Sequence, residues 1–181
     1  MLSVCQAASA PAWVDLAGTP AAGQLSLDHV QSDRAVEHTS DGVAQRRYAF
    51  QPAAHPQIVL TPASAGWDWS KQGELRIQVQ NAMPWAVTLR VEIDGDAVGQ
   101  RLQATVGIPA GLPQVLVIPL QVTSPRAQGM QVGPPMPFDD HGRLTLLATT
   151  VEGALDRHRV RTVRLEVPAP QAAQRYVPVS W

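Results

Sequence analysis

The sequence is poor in the residues that would commit it to one chemistry. Its single cysteine, Cys5, excludes an internal disulfide framework and any zinc site built from several cysteines. Lys+Arg is 14 against Asp+Glu 15, a formal net charge of -1, so the chain has no basic surplus that would attract nucleic acid. It also lacks a run of about 18 apolar residues, and we therefore predict no membrane span.

Catalytic signatures are missing as well. The chain has no Gly-x-Ser-x-Gly elbow, no glycine-rich phosphate loop and no His-Glu-x-x-His pair. Most of its carboxylates lie in turn-like segments, where such side chains usually bond to their own backbone. The sequence therefore nominates no catalytic residue. A small metal-dependent or hydrolytic enzyme, whose His and Asp residues meet only in space, remains an alternative.

What the sequence does contain is many turns between short alternating segments. It has 16 prolines and 13 glycines, and 45% of its residues are hydrophobic. No segment keeps a helical period over three turns. The alternation predicts an all-β fold, an antiparallel β-sandwich of jelly-roll type with about ten strands. The predicted strands are Gln24–Val30, Ala35–Thr39, Val43–Phe50, Gln57–Thr61, Glu74–Gln80, Val87–Asp94, Arg101–Ile108, Gln114–Val122, Arg143–Val151 and Val160–Val167.

The strands occupy the middle of the chain. Residues 1–23 are rich in Ala, Pro and Gly and are expected to form a flexible arm or the remnant of an export signal, since Ala8-Ser9-Ala10 has the small-x-small pattern of a cleavage site. Residues 24–168 are expected to form the sandwich, and residues 169–181 a Pro/Ala-rich tail. We therefore expect a secreted or periplasmic protein.

Period-two alternation assigns each strand a core face and a polar face. Residues 115–120, "VLVIPL", are apolar on both faces, which predicts a strand covered on both sides, and Pro119 favours an edge or a bulge. The residues expected to line the core are Leu75, Ile77, Val79, Leu89, Val91, Ile93, Val115, Val117, Leu146, Val163 and Leu165.

Tryptophans and the polar face supply the candidate ligand site. Sugar-binding proteins stack aromatic rings against pyranose faces and flank them with amides, carboxylates and arginines. Trp85 follows Pro84 in a turn and is the predicted stacking ring. If the strands at 74–80 and 87–94 pair, the hydrogen-bonding groups of a shared polar face would be Arg76, Gln78, Arg90 and Glu92. The alternative is that Trp85 only caps the end of the sandwich.

The stretch "WDWS" at 67–70 admits two interpretations. Trp67 and Trp69 are two residues apart and point to the same side of an extended segment. We expect both to plug the core, with Asp68 or Ser70 capping the turn into the next strand. Trp69 is held as a secondary candidate for stacking on a sugar.

Hard oxygen ligands occur in two turn-like segments. Asp94 and Asp96 in "DGD", and Asp139 and Asp140 in "FDDHG", are suited to a structural calcium ion. The alternative is that both segments are plain solvated turns, and in that case the protein has no cofactor.

Residues 56–106 follow a pattern known from one enzyme family. A strand ending in "LTP" comes first, then "WDWS", then a strand ending in Asn81 and a strand ending in Asp94. The segments "IPAGLPQVLVIPL" and "GMQVGPP" follow farther along the chain. Over about residues 43–167 the chain resembles the N-terminal carbohydrate-binding-module-like domain of exo-β-agarases, glycoside hydrolases of family fifty. After Pro135 the sequence departs from the family pattern.

The resemblance implies a jelly-roll domain without the catalytic barrel, for which 181 residues leave no room. The leading hypothesis is a non-catalytic module that binds a neutral or weakly anionic polysaccharide, an agarose-type galactan by resemblance. The second is a scaffolding sandwich without a sugar site, whose partner is a catalytic domain or another protein.

Overall fold

The computed structural model describes residues 22–32, 37–38, 44–51, 53–63, 65–122 and 145–168. This part of the chain consists of strands and connections, with no helix, so the predicted all-β sandwich is confirmed. None of the described residues belongs to a helix long and apolar enough to cross a membrane. Residues 1–21 of the predicted arm (1–23), the predicted tail at 169–181 and the Asp139–Asp140 pair lie outside the described residues.

Thirteen strands are present in the described residues, and most coincide with a predicted segment. The structure splits the segment at 43–50 in two and adds two short strands that the sequence did not predict, at 30–32 and 152–154. The strands are β1 Leu25–Asp28, β2 Val30–Ser32, β3 Glu37–His38, β4 Ala44–Gln45, β5 Tyr48–Phe50, β6 Gln57–Leu60, β7 Glu74–Val79, β8 Val87–Gly95, β9 Arg101–Ile108, β10 Gln114–Pro119, β11 Thr145–Ala148, β12 Glu152–Ala154 and β13 Val160–Glu166.

The larger sheet has six antiparallel strands in the order β1-β6-β13-β8-β9-β12. Its centre is β8, in which Leu89, Val91 and Ile93 are buried and the residues between them face outward. β8 pairs with β9 over its whole length, from Val87↔Ile108 to Asp94↔Arg101. Strict alternation over nine residues therefore produced the longest strand, with one face committed to the core.

The smaller sheet has three strands in the order β11-β10-β7. β10 runs antiparallel to β7 but parallel to β11, which is an exception to the predicted antiparallel arrangement. A parallel pair needs a long crossover, and residues 120–144 connect the two strands. Pro119 is the last residue of β10, where the missing N–H interrupts the ladder least.

One hydrophobic core lies between the two sheets. It is built from β6, β8, β9 and β13 on one side and from β10 on the other, with the half-buried Leu75, Ile77 and Val79 of β7 packed against it. Its most deeply buried side chains are Ile93, Leu102, Leu116, Ile118, Leu120, Val91 and Val160.

The predicted inward face of β10 and β11 is wrong by one residue. Leu116 and Ile118 are fully buried, whereas Val115 and Val117 are half-buried on the outer face. β11 follows β10 in register: Leu147 packs against the core, and the predicted core residue Leu146 pairs with Val115. Because both faces of "VLVIPL" are apolar, its alternation could not say which set points inward.

Trp67 and Trp69 form the predicted core plug. Their rings stack with centroids 5.4 Å apart and an interplanar angle of 13°. The backbone of Trp67 exchanges two hydrogen bonds with Val160, and the Trp69 amide donates to the Arg157 carbonyl. Asp68 faces outward and accepts a hydrogen bond of 2.9 Å from the Ser70 amide, which confirms its turn-capping role.

Candidate functional site

Trp85 lies on an exposed connection at one end of the sandwich. Residues 80–86 join β7 to β8, and residues 109–113 join β9 to β10; we call these two connections together the apolar end. The Trp85 side chain there is 53% exposed. The Trp67–Trp69 plug lies at the other end of β8, because Val160 bridges Trp67 and also pairs with Gly95. The nine residues of β8 put about 30 Å between the two ends.

Asn81 holds the two connections together. Its buried side-chain amide donates to the Trp85 carbonyl at 2.7 Å and to the Ile108 carbonyl at 3.0 Å. Its side-chain oxygen accepts from the Met83 amide at 2.9 Å. Its main-chain carbonyl accepts from the Gly111 amide at 3.1 Å. One buried residue therefore satisfies the Met83 amide and the Trp85 carbonyl and ties this connection to the neighbouring one.

The apolar end concentrates exposed hydrophobic side chains. Of the five large hydrophobic residues exposed in the described structure, three lie on it: Met83 at 44%, Trp85 at 53% and Leu112 at 79%. Its sequences, "QNAMPWA" and "PAGLP", contain no charged residue. An exposed apolar patch of this kind marks a surface suited to an interaction.

Arg76 and Gln78 are exposed on the outer face of the smaller sheet. Arg76 Nε donates to Glu74 Oε1 at 2.6 Å on the same strand. Across the strand pair they lie opposite Val117 and Val115. Gln78 is near the apolar end of β7, and Arg76 is one alternation farther away.

Arg90 and Glu92 belong to the outer face of the larger sheet. β7 and β8 do not pair, so the expectation of one polar face that carries all four residues is wrong. The two sheets pack on one core, and their outer faces therefore point in opposite directions. The structure does not bring Arg90 and Glu92 together with Arg76 and Gln78.

The outer face of the larger sheet is a network of alternating charges. Arg164 donates to Glu92 at 2.7 Å, and Arg90 lies 3.4 Å from Glu166. The Glu166 side chain is only 8% exposed and also lies 2.9 Å from His55 Nδ1. These side chains already pair with one another across β8 and β13, together with His55 from the segment before β6. Arg90 and Glu92 are therefore less available to a ligand than their sequence pattern indicated.

Trp69 belongs to the core and not to a ligand surface. It is 5% exposed, with one ring face against Trp67. A pyranose needs an open ring face for stacking, so the secondary candidate for the sugar site is wrong.

Asp94 lies near the end of β8 and Asp96 lies in the turn that leads to β9, and both line a hollow of about 470 Å³. Asp96 accepts from Arg161 Nε at 2.7 Å and from Arg159 at 3.2 Å, and these hydrogen bonds hold the pKa of Asp96 below its ordinary value. Asp94 accepts from Arg101 Nε and from the Thr162 hydroxyl. Each carboxylate thus has a cationic partner, which a calcium ion would have to displace.

The described residues include no group of three or more His, Cys, Asp or Glu side chains that could hold a metal ion. The histidines described are on separate elements, for example His55 before β6 and His158 before β13. The alternative of a small metal-dependent enzyme therefore has no assembled site in this part of the chain.

The sequence nominated Trp85 as a candidate but not its exposed neighbours. Met83, Leu112 and Asn81 were not candidates, because residues 81 and 111 approach each other only in the folded chain. A signal was nevertheless present. Two uncharged, proline-containing turns follow the strands at 74–79 and 101–108, and one strand lies between those two along the chain. A chain that runs back and forth through a sandwich returns to the same end at every second turn, so these two turns are expected to lie at one end.

No protein-family model matches the sequence, and a search among curated proteins finds no significant relative. Solved structures do match. An agarase, AgWH50C, superposes with a TM-score of 0.59 and 14% identity over 81% of this chain and 22% of its own. An exo-β-agarase gives 0.62 and 15% over 81% of this chain and 21% of its own. PfGH50B gives 0.52 and 19% over 80% of this chain and 20% of its own.

At these identities the likeness shows a shared fold. It confirms at the level of the fold the resemblance to part of the exo-β-agarases. The chain spans only about a fifth of the length of the solved proteins it matches.

Proposed function

We propose that this protein is a non-catalytic carbohydrate-binding module, with Trp85 as the ring on which a sugar stacks. The observation that carries the proposal is the 53% exposure of a tryptophan on an uncharged connection whose backbone is fixed by a buried residue. A large rigid ring held in this way loses little entropy when it binds. The fold shared with part of the agarases supports a carbohydrate as the ligand.

The charge of the chain favours a neutral or weakly anionic polysaccharide. The formal net charge is -1, and the apolar end has no arginine or lysine that would attract sulfate groups. Gln78 is exposed beside it, and Gln80 is exposed within it and donates to the Gly111 carbonyl at 3.1 Å. Agarose-type galactans rank first among such polymers because of the structural matches.

A protein of this kind acts outside the cytoplasm, where polysaccharides are found, so we infer a secreted or periplasmic location. An exposed platform of three apolar side chains buries little of a hydrated, flexible sugar. Binding should therefore be weak.

Affinity electrophoresis tests the proposal. The protein is run through native gels that contain agarose, another galactan, xylan or β-glucan, next to Trp85→Ala and the control Val98→Ala. Val98 is fully exposed in the turn between β8 and β9, away from the apolar end. We expect retardation in the agarose gel that Trp85→Ala strongly reduces and Val98→Ala preserves. Equal migration in every gel would contradict the proposal.

The same apolar end supports a second candidate function. Met83, Trp85 and Leu112 also have the composition of a protein-binding patch, in which aromatic and Met side chains are enriched. A protein or catalytic domain as partner becomes the favoured function if no polysaccharide retards the chain and Trp85→Ala changes its self-association or its binding to a barrel.

A further inference from the structure

We propose that the apolar end is one binding platform built from both connections, and that Asn81 is the positioning residue that gives the platform its shape. Its ligand contacts are then Met83, Trp85 and Leu112 together, not Trp85 alone. This inference rests on the proposed function, since it assigns the remaining residues of the same sugar site.

The first argument is the position of Asn81 in the hydrogen-bond network. Asn81 is 8% exposed, and every polar group of its side chain has a backbone partner. Two of these partners, the Met83 amide and the Trp85 carbonyl, belong to the residues that carry the exposed side chains. A buried amide with all its hydrogen bonds made fixes the backbone around it, because losing one bond leaves a buried polar group unsatisfied.

The second argument concerns Leu112. Gly111, its neighbour, is bonded to residue 81 through its amide and to Gln80 through its carbonyl. Gly111 has a φ of 109°, a backbone conformation that residues other than glycine rarely adopt. The turn at 109–113 is therefore held against the connection at 80–86. Leu112 lies in this turn with 79% of its surface exposed.

The third argument is chemical. The platform offers a ring, a thioether and an isobutyl group with no charge beside them, which suits the apolar face of a neutral pyranose better than a sulfated or uronic one. The ligand class is thus a neutral polysaccharide that lies across two loops. Leu112 and Met83 then contribute to affinity as Trp85 does.

The test compares Asn81→Ala, Asn81→Asp, Leu112→Ala and Trp85→Ala with the wild type in agarose affinity gels. Asn81→Asp keeps the acceptor that faces Met83 but loses both donors. We expect each single variant to bind about tenfold more weakly. The double variant Asn81→Ala/Trp85→Ala should bind more weakly than Trp85→Ala, but by less than the loss that Asn81→Ala causes alone, since Asn81 acts partly through the ring and partly through Met83 and the turn that carries Leu112. Leu112 is exposed, so its variant folds whatever the outcome at Asn81.

Trp85 fluorescence supplies a readout that needs no ligand. The emission of Trp85 is obtained by subtracting the spectrum of the Trp85→Phe variant from that of the protein that keeps Trp85. This subtraction is made once with Asn81 present and once with Asn81→Ala. We expect acrylamide quenching of Trp85 to increase when Asn81 is replaced. Unchanged quenching together with unchanged retardation would overturn the positioning role. If Leu112→Ala is retarded as strongly as the wild type, the two-loop platform is overturned.

If the wild type migrates freely in every gel, the proposed function fails and the sugar platform fails with it. The quenching result then still decides whether Asn81 positions Trp85.

Discussion

At the residue scale, burial decides the role of each tryptophan. Trp67 is 4% exposed and lies against Trp69 and the start of β13. Removal of the Trp67 side chain leaves a large cavity that the neighbouring strands β8 and β13 cannot fill, because backbone hydrogen bonds hold these strands in place. We expect Trp67→Ala to lower the free energy of unfolding by about 3–5 kcal/mol, measured by urea denaturation.

The control is Trp85→Ala, which removes the same side chain from an exposed position. Its free energy of unfolding should stay within about 0.5 kcal/mol of the wild-type value. If Trp67→Ala instead unfolds at the wild-type midpoint and no longer binds sugar, the plug has been misassigned.

At the scale of the element, alternation predicted where strands lie better than it predicted which way they face. β8 alternates apolar and polar residues without exception, and its core face was predicted correctly. β10 is apolar on both faces from Val115 onward, so which face turns inward depends on its partner strand. The pairing of Leu116 with Ile77 of β7 turns that residue inward. This information lies in the register between strands, which one segment alone does not contain.

Matched substitutions on β10 test its orientation. Leu116→Ala empties a fully buried position and should cost about 2–5 kcal/mol of unfolding free energy. Val117→Ala removes a half-buried side chain from the outer face and should cost less than about 1 kcal/mol. Thermal and urea denaturation of both variants would show the difference. Equal losses, or a larger loss at Val117, would contradict the orientation described here.

The whole molecule shows why the fold was easier to predict than the site. Strand positions depend on local patterns, and "WDWS" with its flanking strands led to the fold that the agarase matches support. The site depends on residues far apart in sequence. Arg90 and Arg76 looked like neighbours because their strands are consecutive, yet the chain crosses from one sheet to the other between them. Asn81 and Gly111 looked unrelated and are bonded to each other.

Charge balance across the molecule leads to the last prediction, which concerns calcium. A bound ion stabilises the native state by mass action, so its removal by EDTA would lower the melting temperature. Arg161 and Arg159 neutralise Asp96, and Arg101 neutralises Asp94. A divalent ion between these carboxylates would face three arginines within a few ångströms, and their repulsion opposes binding. We therefore expect the melting curve to be the same in excess EDTA and in excess calcium. A lower melting temperature in EDTA that calcium restores, and that Asp96→Asn abolishes, would establish a calcium site in the turn between β8 and β9. The same loss without any effect of Asp96→Asn would direct attention to Asp139 and Asp140 instead.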